Sequence, residues 1–136
     1  YEHPSPHRRG ELTRSELELG DDPTAPYPLI DVLGWRMTVG ICMDLNDPRF
    51  IHFCERAHVN LIAFPTNWLD EGYDVLPYWA YMLRDLPDAY LLAANSHGVE
   101  DEITFCGTSA VLRSNPPTLY GSAPHVGDYI ISVTIE

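Results

Sequence analysis

The chain has 136 residues, with 8 basic against 20 acidic side chains and a formal net charge of −12. That length holds one domain at most, and the acidic balance excludes the basic stripes of a nucleic-acid groove and disfavours an anionic membrane surface. A composition of 45% hydrophobic and 11% aromatic residues excludes a disordered chain.

No apolar run approaches the ~20 residues of a membrane span, and no basic-then-apolar N-terminus suggests a secretory leader. The cysteines are Cys42, Cys54 and Cys106. An odd number without tight spacing is a poor disulfide framework, so reduced thiols and a cytoplasmic protein are expected.

Residues 1–28, YEHPSPHRRGELTRSELELGDDPTAPYP, are dense in charge and punctuated by proline, and read as an irregular arm. Only ELTRSELEL has the makings of a helical turn. From residue 29 the pattern changes. WRMTVGIC predicts a strand, with Met37, Val39 and Ile41 alternating with Thr38 and Gly40. DPRFIHFCERAHV predicts a helix with Asp47 as N-cap, Pro48 at its first position, and Phe50, Phe53, Cys54 and Ala57 at helical spacing.

NLIAF is a short continuous apolar run, as in a strand buried on both faces. DVLPYWAYMLRDL predicts a helix entered through Pro77, with Leu76, Trp79, Met82, Leu83 and Leu86 on one side. AYLLAAN is a second buried strand. TSAVLR, TLY and DYIISVTIE predict strands joined by turns at SNPP and SAPHVG. The alternation of strand and helix implies an α/β layered sheet with parallel strands, closed by an antiparallel edge or extension.

In open α/β sheets ligands sit beyond the carboxyl ends of the strands. Parallel neighbours would gather Cys42, Asn67, Trp68, Asn95 and His97 along one rim. A cysteine on a sharp strand-to-helix turn is held exposed near backbone N–H groups, which lower a thiol pKa and can hold an oxyanion. Cys42 is therefore a candidate acyl-transfer nucleophile, although a lone cysteine at a strand end is more often packing. Cys54 falls on the apolar helix face and reads as core, and Cys106 as a packed loop residue. A metal site built from Cys42, His52, Cys54 and His58 is not expected, because His52 and Cys54 point to different helix faces and no CxxC pair exists. No phosphate loop or dinucleotide glycine signature is present.

The words VGICMDLNDPRF, NLIAFPTNWLD, YLLAANSHG and TFCGTSAVL, in that order, resemble the C-terminal half of the nitrilase, or carbon–nitrogen hydrolase, superfamily. The resemblance runs from about residue 34 to the end. ICMDLN with PTNWL is most similar to the branch of protein N-terminal amidases. It implies an α/β fold, an α-β-β-α sandwich of which this chain holds the C-terminal portion as residues 29–136, with a mixed sheet and flanking helices, usually assembled as a homo-oligomer. It implies hydrolysis of an amide or nitrile without a cofactor, the substrate being a small molecule or the N-terminal Asn or Gln of a peptide.

The resemblance puts Cys42 at the nucleophile, the backbone N–H of Met43 at one oxyanion donor, and Asp44 where the family often has an acidic neighbour. Asp44 reads equally as a cap on the following turn. Asn67 and Trp68 fall where the family lines its pocket. The family lysine aligns with Arg9 in RGEL, which puts Glu11 at the family's usual histidine, and Glu16 or Glu18 falls at the second glutamate. The chain contains no lysine, and a guanidinium can stabilise an oxyanion but does not shuttle protons. The family's general base belongs to the N-terminal half of the fold, ahead of residue 1, so apolar faces of NLIAF and AYLLAAN are expected to be bare. Two readings follow. The chain is part of a longer amidohydrolase working through a cysteine thioester, or it is a truncated, inactive binding or oligomerisation domain.

Overall fold

Three apolar strands make the centre. A computed structural model describes residues 27–136; the expectations for Arg9, Glu11, Glu16, Glu18 and the ELTRSELEL turn lie outside the described residues. The elements run β1 (Ile30–Val32), β2 (Trp35–Val39), a 3₁₀ turn (Cys42–Asn46), α1 (Pro48–Arg56), β3 (Leu61–Thr66), α2 (Val75–Met82), β4 (Tyr90–Asn95), β5 (His97–Glu100), β6 (Ile103–Cys106), β7 (Ala110–Arg113) and β8 (Thr118–Ser122). Six strands form one mixed sheet in the order β1-β2-β3-β4-β7-β8. β2, β3 and β4 are parallel, linked by α1 and α2 as the alternation predicts. β1, β7 and β8 add antiparallel.

The period of two sends alternate side chains to opposite faces. Ile62 and Phe64 of β3, Leu91 and Ala93 of β4, and Ala110 and Leu112 of β7 face α1 and α2 in the main core. α1 begins where the residues dictate. Asp47 accepts the N–H of Arg49 at 2.9 Å, Pro48 opens the helix, and Phe50, Ile51 and Cys54 are buried. Tyr27 packs on this helix too, with its ring 5.0 Å from Phe50.

α2 starts earlier than its proline suggests. Asp74 is the cap, accepting the N–H of Leu76 at 3.1 Å, and Pro77 is the third helical residue. Proline is tolerated there because the N–H it lacks would have no partner within the helix. Leu83 and Leu86 continue the buried side beyond the helix end.

The other sheet face carries Leu61, Tyr90 and Val111, flanked by Trp35, Met37 and Leu92. It is not bare, as the sequence led one to expect. Ile131, Val133 and Ile135 of the C-terminal segment pack on it, and the segment crosses β8, where a Cβ on Gly121 would stand 3.0 Å from Ile131 Cγ2. The strand expected over DYIISVTIE is absent. The segment satisfies its alternating pattern by laying every second side chain on the sheet rather than by joining a ladder.

Two hairpins were not expected: β1 with β2, and a second one further on. After Asn95 the chain reverses, and β5 and β6 pair antiparallel as a separate two-stranded sheet. Its turn residues, Asp101 and Glu102, both have positive φ, 47° and 68°. Among the described residues no helix is long and apolar enough to cross a membrane.

Candidate active site

The register sets the rim. Val39 of β2 pairs with Ala63 of β3, and Thr66 of β3 pairs with Asn95 of β4. Carrying the first offset past the end of β2 brings Cys42 to the level of Thr66 and Asn95, at the carboxyl ends of the three parallel strands.

Cys42 is half-buried and left-handed, with φ 49°, a conformation that costs a non-glycine residue about 1 kcal/mol or more and persists only when its surroundings over-determine it. Several contacts do so. Gly40 N–H donates to Ala63 O at 3.0 Å and locks the approach to β3. A Cβ on Gly40 would stand 2.6 Å from Phe50 Cζ, so the strand comes this close to α1 only because residue 40 has no side chain. On the far side Leu45 is fully buried and anchors the 3₁₀ turn in the core.

Asp44 closes the turn. Its carboxylate accepts the N–H of Ile41 at 2.8 Å while its own N–H donates to Ile41 O at 3.0 Å. Of the two readings of Asp44, the structure displays the cap. Asn46 ends the turn, accepting a hydrogen bond from the Tyr78 hydroxyl of α2 and donating Nδ2 to Met43 Sδ at 3.5 Å. Burial raises the Tyr78 phenol above its ordinary value, with the charges near Tyr73 and Glu71 acting in the same direction. The Met43 side chain is exposed, and its backbone N–H donates to no acceptor among the described residues.

The other rim residues divide. Asn67 is exposed, accepts a hydrogen bond from the Ser96 hydroxyl, and lines a cavity of about 330 Å³ with Ser96, His97, Val99, Glu100 and Phe105. Trp68, expected beside it, turns inward. It is buried against Phe64, Tyr78 and Trp79, at ring separations of 6.2, 5.7 and 5.9 Å. An indole at the end of an apolar strand gains more by packing than by facing water.

Asn95 is a strut. Its Oδ1 accepts Trp68 N–H at 2.7 Å, and its Nδ2 donates to Gly107 O at 2.8 Å and to Cys106 Sγ at 3.1 Å. His97 faces the C-terminal segment. Its Nδ1 accepts Gly127 N–H at 3.1 Å, so the proton lies on Nε2, 2.8 Å from Asp128 Oδ1. Neither Asn95 nor His97 turns toward Cys42, contrary to the expected gathering.

The thiols are sharply different. Cys54 is fully buried in α1, and burial pushes its pKa up to about 12. Cys106 closes β6 rather than lying in a loop, and burial raises it also, partly opposed by the hydrogen bond from Asn95. Cys42 alone stands at the rim. Among the described residues nothing hydrogen-bonds its thiol, and no group of three or more His, Cys, Asp or Glu is placed to hold a metal. Asn46 and Tyr78 were not singled out in the sequence; no spacing signal ties a helical tyrosine to a turn 32 residues before it.

Comparison with known proteins follows the same lines. No protein-family model matches the chain. The chain is 30% identical over 107 residues to a hydrolase in the pqqF 5′ region of Pseudomonas protegens, an alignment covering 77% of this chain and 36% of that protein. Among solved structures it is similar to a cysteine-to-alanine variant of the Nesterenkonia AN1 amidase from the nitrilase superfamily, with TM-score 0.66, 18% identity, and coverage of 79% of this chain and 39% of that one.

A glutamate-to-glutamine variant of the same amidase, showing the result of Michael addition of acrylamide at the active site cysteine, matches with TM-score 0.65 and 19% identity over 82% of this chain and 42% of that one. The chain thus spans little more than a third of the curated relative and about two fifths of the solved amidase chains. The described residues have the fold of the nitrilase superfamily, and the resemblance carried by the sequence words is borne out at that level.

Proposed function

We propose that this chain is the nucleophile-bearing part of a carbon–nitrogen hydrolase acting on amides, with Cys42 as nucleophile. The observation that carries the reading is the left-handed, half-buried Cys42 at the carboxyl rim of parallel strands, opening a 3₁₀ turn, in a fold similar to an amidase that reacts at its active site cysteine.

In the proposed reaction the Cys42 thiolate attacks the amide carbon, and the carbonyl electrons move to oxygen. The unpartnered Met43 N–H supports that oxyanion. The intermediate collapses to a thioester, breaking the carbon–nitrogen bond as nitrogen takes a proton and leaves as ammonia or an amine. Water then attacks the thioester, giving a carboxylic acid and restoring the thiol. The proton carrier is a general base outside the described residues. Asn67 and its cavity supply one wall for the substrate, and Trp68 supports that wall from beneath. The N-terminal Asn or Gln of a peptide is a substrate of the same chemistry; a nitrile would first add the thiol to give a thioimidate, from which water releases ammonia to reach the same thioester. Assembly into a homo-oligomer in the cytoplasm accords with the family resemblance.

The test is ammonia release from a panel of short amides by the full-length protein and by Cys42→Ala. Release by the wild type that falls at least ~10³-fold in the variant supports the reading. Equal release in both sinks it. Absence of release from the wild type, with unchanged assembly in Cys42→Ser, favours the second reading of an inactive binding domain.

A further inference from the structure

We infer that Tyr78 is a positioning residue for the Cys42 turn, acting through Asn46. The inference rests on the proposed role of Cys42 and names what holds that residue in place.

The turn is short and strained. Cys42 is left-handed at its start, and the donor offered to an oxyanion is the backbone N–H of the next residue. The position of that N–H depends on how rigidly the five residues of the turn are held. Asp44 fixes the entrance through Ile41, and buried Leu45 fixes the middle. The exit carries one backbone hydrogen bond, from Asp47 N–H to Asp44 O at 3.0 Å. It is also held from outside by a side chain of α2, the Tyr78 hydroxyl donating to Asn46 Oδ1.

Asn46 is poised to transmit this hold, because its Nδ2 reaches back to Met43 Sδ at 3.5 Å. One amide side chain therefore links α2 to the side chain of Met43, the residue that follows Cys42. Tyr78 is itself immobilised. It is half-buried, its ring lies 5.7 Å from Trp68 and 6.2 Å from Tyr73, and Trp68 is pinned through its backbone to Asn95 and Cys106. The chain of contacts runs from the ends of β3 and β4 through Trp68 and Tyr78 to the Cys42 turn. It is made of packed rings and hydrogen bonds, and from Trp68 to Asn46 its side chains are buried or half-buried. Burial moves the Tyr78 phenol upward from its ordinary value, the direction that keeps its hydroxyl a donor.

Tyr78→Phe removes the hydroxyl and keeps the ring stack, so a change in function cannot be ascribed to lost packing. The experiment measures amide hydrolysis and the pH profile of Cys42 alkylation by iodoacetamide in the full-length protein, for wild type, Tyr78→Phe, Asn46→Ala, the double variant and Cys42→Ala. The expected result is kcat lowered about tenfold in each single variant with KM little changed, an altered alkylation profile, and a double variant no worse than either single one, as for two residues acting as a unit. Unchanged kcat and alkylation in Tyr78→Phe, or a double variant showing the product of two independent losses, overturns the inference. Full activity in Cys42→Ala overturns instead the proposed nucleophile, so the two failures are told apart.

Discussion

The Asp44 carboxylate accepts the backbone N–H of Ile41 at 2.8 Å, three residues back across the turn that carries Cys42. Together with the return bond from Asp44 N–H to Ile41 O at 3.0 Å, it gives the acidic neighbour of the candidate nucleophile a mechanical task. The cysteine is left-handed because both ends of its turn are tied down.

Asp44→Asn keeps an oxygen acceptor and loses the charge, whereas Asp44→Ala loses the acceptor. The cap reading predicts that the alanine variant is destabilised by about 1 kcal/mol and that the asparagine variant retains most of the wild-type stability. Urea midpoints check both. An asparagine variant as unstable as the alanine one would show that the charge matters more than the cap.

Gly40→Ala should disturb the site without touching its chemistry. The new Cβ would meet Phe50 Cζ at 2.6 Å, and overpacking of this kind costs about 1–3 kcal/mol. The lower denaturation midpoint should be accompanied by an altered rate of Cys42 alkylation, since the same strand delivers both residues. A stable variant with an unaltered rate would mean that Phe50 yields without moving the turn.

The cysteines should react in a fixed order. Cys54, pushed by burial from 9.0 to about 12, is neutral in the folded chain while its unfolded counterpart ionises. The unfolded state therefore loses its proton first. The stabilisation is complete below pH ~9 and is lost as the pH rises from there toward ~12. Denaturation midpoints of Cys54→Ala should fall less steeply over that window than those of wild type. Peptide mapping after iodoacetamide at neutral pH should find Cys42 modified first, with Cys54 and Cys106 reacting after unfolding.

Trp79 is fully buried, with its ring 5.8 Å from Phe64 and 5.9 Å from Trp68. Its indole N–H has no hydrogen-bond partner among the described residues. Trp79→Ala should cost about 3–5 kcal/mol. Trp79→Phe should cost much less, because it also removes an unsatisfied donor. Urea unfolding of the two variants checks the difference; equal losses would show that the N–H makes a contact stronger than the ring geometry implies.

The parallel centre of this fold was legible because its signals are local and redundant. NLIAF and AYLLAAN are apolar on both faces, and Asp47-Pro48 is a helix start on sequence alone. The rim was half legible. Strand order brings Cys42 and Asn67 to one edge, but the inward turn of Trp68 and the diversion of His97 to Asp128 depend on neighbours far along the chain. The β5–β6 hairpin was hidden because its turn is Asp101-Glu102, without the glycine or asparagine that favours positive φ at both central positions. The C-terminal alternation fixes which side chains face inward but not a strand, since a period of two says nothing about who pairs with the backbone.

The central claim is that Cys42 forms the covalent bond to substrate. The most direct measurement is to mix the full-length protein with a short amide, quench in acid during turnover, and map the acyl adduct by peptide mass spectrometry. The account predicts a thioester on Cys42, absent from Cys42→Ala. An adduct on Cys54 or Cys106, or turnover that persists in Cys42→Ala with no adduct anywhere, would contradict it.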